Sequence, residues 1–213
     1  MSAPREKTFL LARPEARMLD WIARRLPARV LPDHLTALGV LAAVGIAAAY
    51  ALSDRDPAWL WVASALLVVH WLGDSLDGTL ARVRRIERPR YGYYLDHLVD
   101  AIATALIGLG LGLSPYMLVG TALLAVVVYL VLSINIYLET QTLGVFRLGY
   151  GRLGPTEARI ALIAVNTALA AGAGLGAGLL DVIVLGAAAL ALAGLALRAG
   201  ATLRALAALE PAR

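Results

Sequence analysis

Apolar runs of about twenty residues, each followed by a short polar break, set the plan of this chain. The runs cover roughly 34 to 52, 58 to 82, 92 to 113, 115 to 138, 157 to 177 and 179 to 200. Each is long enough to cross a bilayer as a helix, so the pattern predicts six transmembrane helices. The breaks include Ser53-Asp54-Arg55-Asp56-Pro57, Ser114-Pro115, a longer polar loop from Glu139 to Thr156, and a glycine-rich corner before Asp181. Trp59 and Trp61, just past the first break, read as interfacial anchors. Ahead of the first run, residues 1 to 13 are polar. Pro14 to about Leu31 then reads as an amphipathic helix, with Met18, Leu19, Ile22 and Leu26 on one side and Arg17, Arg24 and Arg25 elsewhere. That suits a helix lying in the membrane interface, with a solvated basic arm as the alternative. The expected fold is an all-α integral membrane protein. It divides into an arm and interfacial helix over residues 1–31 and one six-helix membrane domain over residues 32–213.

Composition strengthens that reading. Of 213 residues, 60% are hydrophobic, and a mean hydropathy of +0.75 is too apolar for a soluble domain. The chain has no cysteine, which excludes disulfides, thiolate zinc sites and cysteine nucleophiles. A net charge of +4 raises nucleic acid as a partner. The basic residues lie between apolar runs, however, and not along one aromatic-studded face, so membrane topology accounts for them and no nucleic-acid partner is expected. Six spans place both termini on one side, and of the 19 Lys and Arg residues all but Arg55 fall on that side. It is therefore the expected cytoplasmic side, most simply of a bacterial inner (plasma) membrane. Phe9-Leu10-Leu11-Ala12 is too short for the core of a cleaved leader, so the N-terminus is expected to be retained. Gly108 with Gly112, and Gly172 with Gly176, have the spacing of close helix contacts. In a chain this rich in Ala and Gly that spacing arises easily by chance.

The chemistry is concentrated between Asp74 and Asp100. Asp74 and Asp77 fall at the end of the second run, and Asp96 and Asp100 at the start of the third, so helical spacing puts each pair on one face. Gly78 and Arg82 follow Asp74 at steps of four, and Gly92 precedes Asp96 at the same step, which gives each helix a stripe of carboxylates and small residues. Four acids inside membrane segments cannot all stay ionised without a positive partner. With no cysteine and no paired histidines they form a hard oxygen set that favours magnesium, manganese or calcium, and two ions bridged by the pairs would suit phosphoryl transfer. Arg82, on the carboxylate stripe, is the arginine best placed to hold a phosphate, while its neighbours at 84, 85, 88 and 90 read as positive-inside residues. Acids paired with arginines, or a relay in a cation-coupled transporter, are the competing readings.

Asp74-x-x-Asp77-Gly78-x-x-Ala81-Arg82, nine residues, then Gly92-x-x-x-Asp96-x-x-x-Asp100 resembles the signature of the CDP-alcohol phosphotransferase family at all eight defined positions. Pro32-x-x-x-Thr36 resembles a further family feature, and the likeness covers roughly residues 32 to 200. It implies a membrane enzyme of phospholipid synthesis, usually a homodimer among membrane lipids. Such an enzyme binds a CDP-linked donor with two Mg2+ or Mn2+ ions at the cytoplasmic face, transfers the donor's phospho-group to a lipid or small alcohol, and releases CMP. On that likeness Asp74, Asp77 and Asp96 are metal ligands, and Asp100 is a further ligand or the base. Thr36, Asp74, Gly78, Ala81, Arg82 and Gly92 line the nucleotide and diphosphate pocket. Asp96-His97 and the run from Tyr137 to Glu157, with Gly144, Phe146, Gly149 and Thr156-Glu157, resemble the choline/ethanolamine phosphotransferase branch. That branch uses CDP-choline or CDP-ethanolamine with diacylglycerol, and in it Glu157 or His97 is a candidate base. The alternatives are that Glu157 is an acid favoured at a helix start and that His97 bonds a neighbouring helix. The other branch transfers a phosphatidyl group from CDP-diacylglycerol to a small polar alcohol. Several of its members carry a basic residue after the last aspartate, where this chain has Ala101, which argues against an anionic acceptor. His70, one turn before Asp74, reads either as a partner of that carboxylate or as a satisfied helix donor.

Overall fold

In a computed structural model, residues 5–6, 11–144, 146–147, 154–174 and 178–210 are described. The elements are β1 (Arg5–Glu6), α1 (Ala12–Ala23), α2 (Pro32–Leu52), α3 (Trp59–Arg84), α4 (Pro89–Gly112), α5 (Val119–Leu143), β2 (Phe146–Arg147), α6 (Pro155–Ala170) and α7 (Leu179–Leu209). The fold is all-helical apart from the two-residue parallel pairing of β1 with β2. Among the described residues, five helices, α2, α3, α4, α5 and α7, are long and apolar enough to cross a membrane. At 16 residues and 1.5 Å per residue, α6 is about 24 Å long, short of a hydrocarbon core of about 30 Å. The fifth apolar run therefore forms a helix shorter than its composition suggests. It stops because Ala173 N–H reaches back to Ala168 O and Gly172 adopts φ +81°, a helix-ending turn that glycine makes without steric cost. Gly172 thus terminates a helix and does not pack against one, while Gly149 and Gly176 lie outside the described residues.

α1 ends at Ala23, well before the expected Leu31, because Pro27 cannot continue a helix whose interior N–H groups must be donated. The link that follows is tied down by Arg84, whose guanidinium donates to the carbonyls of Leu26 (3.1 Å), Pro27 (2.8 Å) and Val30. Leu19 and Ala23 of α1 are buried with Leu35 of α2 and Leu76 and Leu80 of α3. Met18 and Trp21 remain exposed, with the Arg25 guanidinium 3.8 Å above the Trp21 ring. Leu19, Ile22 and Leu26 of the expected apolar side thus pack on the bundle, while Met18 does not.

α2 is the centre of the bundle, packing on both α3 and α4. It comes close to α3 at Gly39 and Gly73. A Cβ on Gly73 would lie 2.6 Å from Leu35 O and 2.7 Å from Gly39 N, so only glycine allows the two backbones this close. Gly110 meets α2 similarly, its Cβ position falling 2.5 Å from Ala47 Cα. Gly108 and Gly112 do lie at a helix contact, against Val126 and Val119 of α5. A second apolar cluster, Ile46, Ala49 and Tyr50 of α2 with Leu60, Ala63 and Leu67 of α3, fills the opposite end of this interface. The polar seam beside it is satisfied: Tyr50 Oη donates to Asn166 Oδ1 (3.2 Å), and Asn166 Nδ2 donates to Ser64 Oγ (3.2 Å), which joins α6 to α2 and α3. Asp181 accepts from Leu118 N–H (3.0 Å) at the start of α5, and Glu139 of α5 accepts from Arg198 and Thr202 of α7.

Gly73→Ala is expected to lower stability by about 1–3 kcal/mol, the usual cost of overpacking. Gly120→Ala, where a Cβ meets nothing within 4 Å, is expected to leave it unchanged or raised. Thermal unfolding in detergent compares the two.

Candidate active site

The aspartates sit where two helices rest on a third without closing on each other. α3 and α4 each pack on α2, yet make little backbone contact with one another. The turn between them begins with Arg85 in the left-handed region (φ 56°), and Arg88 is fixed to Asp33 of α2 through bonds of 2.5 and 2.7 Å. The resulting cleft is lined by Thr36, Gly39 and Val40 of α2, His70, Asp74 and Asp77 of α3, and Val99, Asp100 and Ala103 of α4. Glycine at 39 and 73 places the α2 backbone against the Asp74 amide and brings Thr36 Oγ1 to 2.6 Å from Asp77 Oδ2, to which it donates. Asp77 also accepts from the Gly78 N–H.

All four carboxylates belong to one electrostatic group. Asp74 and Asp96 both lie within reach of Asp77 and of Asp100. Asp96, His97 and Asp100 each offer a ligand atom within 4.8 Å of the others. This donor set, carboxylate oxygens with one imidazole and no thiolate, fits a hard divalent cation such as Mg2+ or Mn2+. Asp74 is held from outside the α3–α4 pair: Arg159 of α6 donates through Nη2 to Asp74 Oδ2 (2.8 Å), and the same nitrogen lies 3.3 Å from His70 Nδ1. His70 therefore acts beside Asp74 by way of Arg159.

The remaining expected residues divide by position. Among the described residues, none comes within 4 Å of a Cβ position on Gly92, and at Gly78 the near atom is Arg82 Nη1, at 3.3 Å. Both leave room beside the carboxylates. Arg82 lies back along α3 and donates to Thr79 Oγ1 (3.0 Å), and Ala81 is half-buried one turn beyond Asp77. His97 stacks on Tyr137 of α5 (centroids 4.6 Å apart, planes 18° apart) and touches Tyr93, with Nδ1 3.4 Å from Asp96 Oδ2. Glu157 does not line the cleft. Its two oxygens accept from the N–H groups of Gly154 (2.9 Å) and Leu11 (3.1 Å), so it caps α6 and anchors the start of α1. Glu15 continues that anchor, accepting from Trp71 Nε1 (3.0 Å) and Thr156 Oγ1 (3.1 Å). Arg159 is the site residue that sequence reasoning missed. Its charge fits the positive-inside pattern, and the signal that marks it out is an arginine in the first turns of an apolar helix, where the helix dipole disfavours a cation.

Among the described residues, five apolar helices long enough to span a membrane, three of which line an acidic, oxygen-donor cleft, define a polytopic membrane protein. A sequence profile described as CDP-alcohol phosphatidyltransferase matches residues 29–199, and the chain belongs to that family. Membership places it in a class of transferases of phosphate-containing groups. The chain is also similar to the CDP-diacylglycerol–serine O-phosphatidyltransferase of Encephalitozoon cuniculi (strain GB-M1), at 33% identity over 122 residues. The match covers 52% of this chain and 32% of that protein, so the chain spans about a third of the relative's length.

Thr36→Val removes the hydroxyl that orients Asp77. If the cleft takes a divalent ion, it is expected to weaken Mn2+ binding about 10-fold or more, the usual effect when a carboxylate ligand loses its hydrogen-bond partner, while the melting temperature without metal moves little. Titration of the purified protein with Mn2+ checks this.

Proposed function

We propose that this protein is a divalent-metal-dependent phosphatidyltransferase that uses a CDP-linked donor and releases CMP, acting at the cytoplasmic end of its membrane helices. The observation that carries the reading is the cleft itself, in which Asp74, Asp77 and Asp100 converge with Asp96 adjacent. Asp74, Asp77 and Asp96 would hold two Mg2+ or Mn2+ ions, which when bound would neutralise the donor's diphosphate and stabilise charge on the attacking and leaving oxygens. Gly78 and Gly92 leave the α3 and α4 backbones open to the diphosphate and cytidine, and Arg82 lies alongside as a further phosphate contact.

For the proton we favour Asp100. It lines the cleft, whereas Glu157 is engaged in capping and His97 is stacked against Tyr137. Asp100 takes the proton of the acceptor hydroxyl, the acceptor oxygen bonds to the phosphorus that bears the donor's alcohol, and the bridging P–O bond breaks to release CMP. As donor we favour CDP-diacylglycerol, with a small alcohol that is not an anion. The name of the relative supports that pairing, and Ala101 supports a site without an extra cation for an acceptor phosphate. The CDP-choline or CDP-ethanolamine reading, with diacylglycerol as acceptor, rests on Asp96-His97 and Thr156-Glu157. Capping of α6 accounts for Glu157 without any catalytic duty, which removes part of its support. A cation-coupled transporter gains no support from the family or the relative. The same proposal includes a homodimer, a sixth span formed by α6 with its flanking residues, α1 lying in the interface, and placement in a bacterial inner membrane.

Purified protein incubated with Mg2+ is expected to release CMP from CDP-diacylglycerol plus serine and to lose all release in EDTA. Release from CDP-choline or CDP-ethanolamine with diacylglycerol, and not from the first pair, would reverse the donor assignment. Asp77→Asn and Asp96→Asn are each expected to lower turnover at least about 100-fold in a protein that still folds. Full turnover in both variants would remove the metal role.

A further inference from the structure

The Arg159–Asp74 pair is not explained by the packing of α6. Arg159 is the fifth residue of that helix, close to the end where backbone dipoles oppose a cation, and α6 is already fixed to its neighbours by Glu157, Thr156 and Asn166. The guanidinium reaches out of α6 to one oxygen of Asp74, a carboxylate at the edge of the cleft. The pair is not fully buried: the Arg159 and Asp74 side chains keep 16% and 21% of their exposure. Breaking it therefore does not strand a fully enclosed charge. The bond runs from one nitrogen to one oxygen and is not the two-pronged grip that makes arginine–carboxylate pairs hard to exchange.

We propose that Arg159 is a built-in counter-cation of the carboxylate site, holding Asp74 while no divalent ion is bound and giving that carboxylate up when one binds. This rests on the metal reading of the cleft. Without metal, four acids at the mouth of an apolar bundle repel one another, and the guanidinium supplies a positive charge that lets α3 and α4 keep their places on α2. With metal, the same charge competes with the ion for Asp74. The residue therefore lowers cation affinity and raises the stability of the unloaded protein, two effects that share one cause. His70 steadies the arrangement by accepting from the same guanidinium nitrogen, and neutral imidazole is the form that can do so.

The test is Mn2+ binding, followed by the loss of the free-ion paramagnetic resonance signal, together with thermal unfolding at zero and saturating Mn2+. Arg159→Gln is expected to bind Mn2+ about five-fold or more tightly, the lower end of coupling between competing ligands. It should melt below wild type without Mn2+ and level with it at saturation. Arg159→Lys, which keeps the charge, is expected to bind Mn2+ within two-fold of wild type. In the wild-type chain itself, Mn2+ should increase amide hydrogen exchange over residues 155–163 as Arg159 is released and decrease it over residues 70–80, a comparison that needs no variant to fold. Unchanged or weaker Mn2+ binding in Arg159→Gln, an equal melting deficit with and without Mn2+, or protection of both segments would overturn the proposal and leave a purely structural ion pair. If the wild-type protein binds no Mn2+ at all, the metal reading fails and this inference is overturned with it.

Discussion

Like charges cannot be gathered inside an apolar bundle unless the backbone is rigid enough to hold them and something positive answers them. In this protein the rigidity comes from glycine. Gly73 brings the carbonyl of Leu35 and the amide of Gly39 within a distance no side chain would allow, and that contact fixes the register of α2 against α3. Thr36 then meets Asp77, and the amide of Asp74 lies against α2. Since α4 leans on α2 and makes little contact with α3, the two acidic stripes meet across a gap and not across a packed seam. The cleft is a consequence of which helices touch, more than of the acids themselves.

The layers of packing along α3 follow the same logic. Leu60, Ala63 and Leu67 are buried in one apolar cluster and Leu76 and Leu80 in another, with His70 and Asp74 facing the cleft between them and Asp77 facing it beside the second. The polar groups of α3 are thereby flanked by well-packed apolar blocks that resist repacking. α1 and α6 are laced to the bundle by side-chain bonds: Glu15 to Trp71 and Thr156, Glu157 to Leu11, Arg84 to the α1–α2 link, and Arg159 to Asp74. These are the contacts by which the sixth helix takes part in the site without lining its floor.

Much of this could be read from the sequence, and what escaped did so for physical reasons. The apolar runs located α2 to α5 within a few residues, because a lipid-facing helix must be continuously apolar. The spacing of Asp74, Asp77, Asp96 and Asp100 anticipated that they would gather at one cleft, because helical period alone determines which side chains share a face. Helix ends were read less well. Pro27 stops α1 early, the turn at Gly172 stops α6 early, and α7 runs on to Leu209 because nothing in residues 200–209 forbids a helix. Long-range pairing was out of reach. An arginine such as Arg84 or Arg159 obeys the positive-inside rule whether it lies in water or bonds a carbonyl or carboxylate, so its charge alone could not reveal its partner. Nor could sequence separate the capping role of Glu157 from a catalytic one, since an acid in the first turn of a helix satisfies both descriptions.

The central claim is that the carboxylates of α3 and α4 share divalent cations in the gap between those helices. Anomalous diffraction from crystals of the protein grown with Mn2+ and CDP tests it most directly. The account predicts two manganese peaks, each within bonding distance of carboxylate oxygens from the set Asp74, Asp77, Asp96 and Asp100, with the diphosphate beside them. Manganese found only elsewhere, or an ordered cleft with no peak, would contradict it.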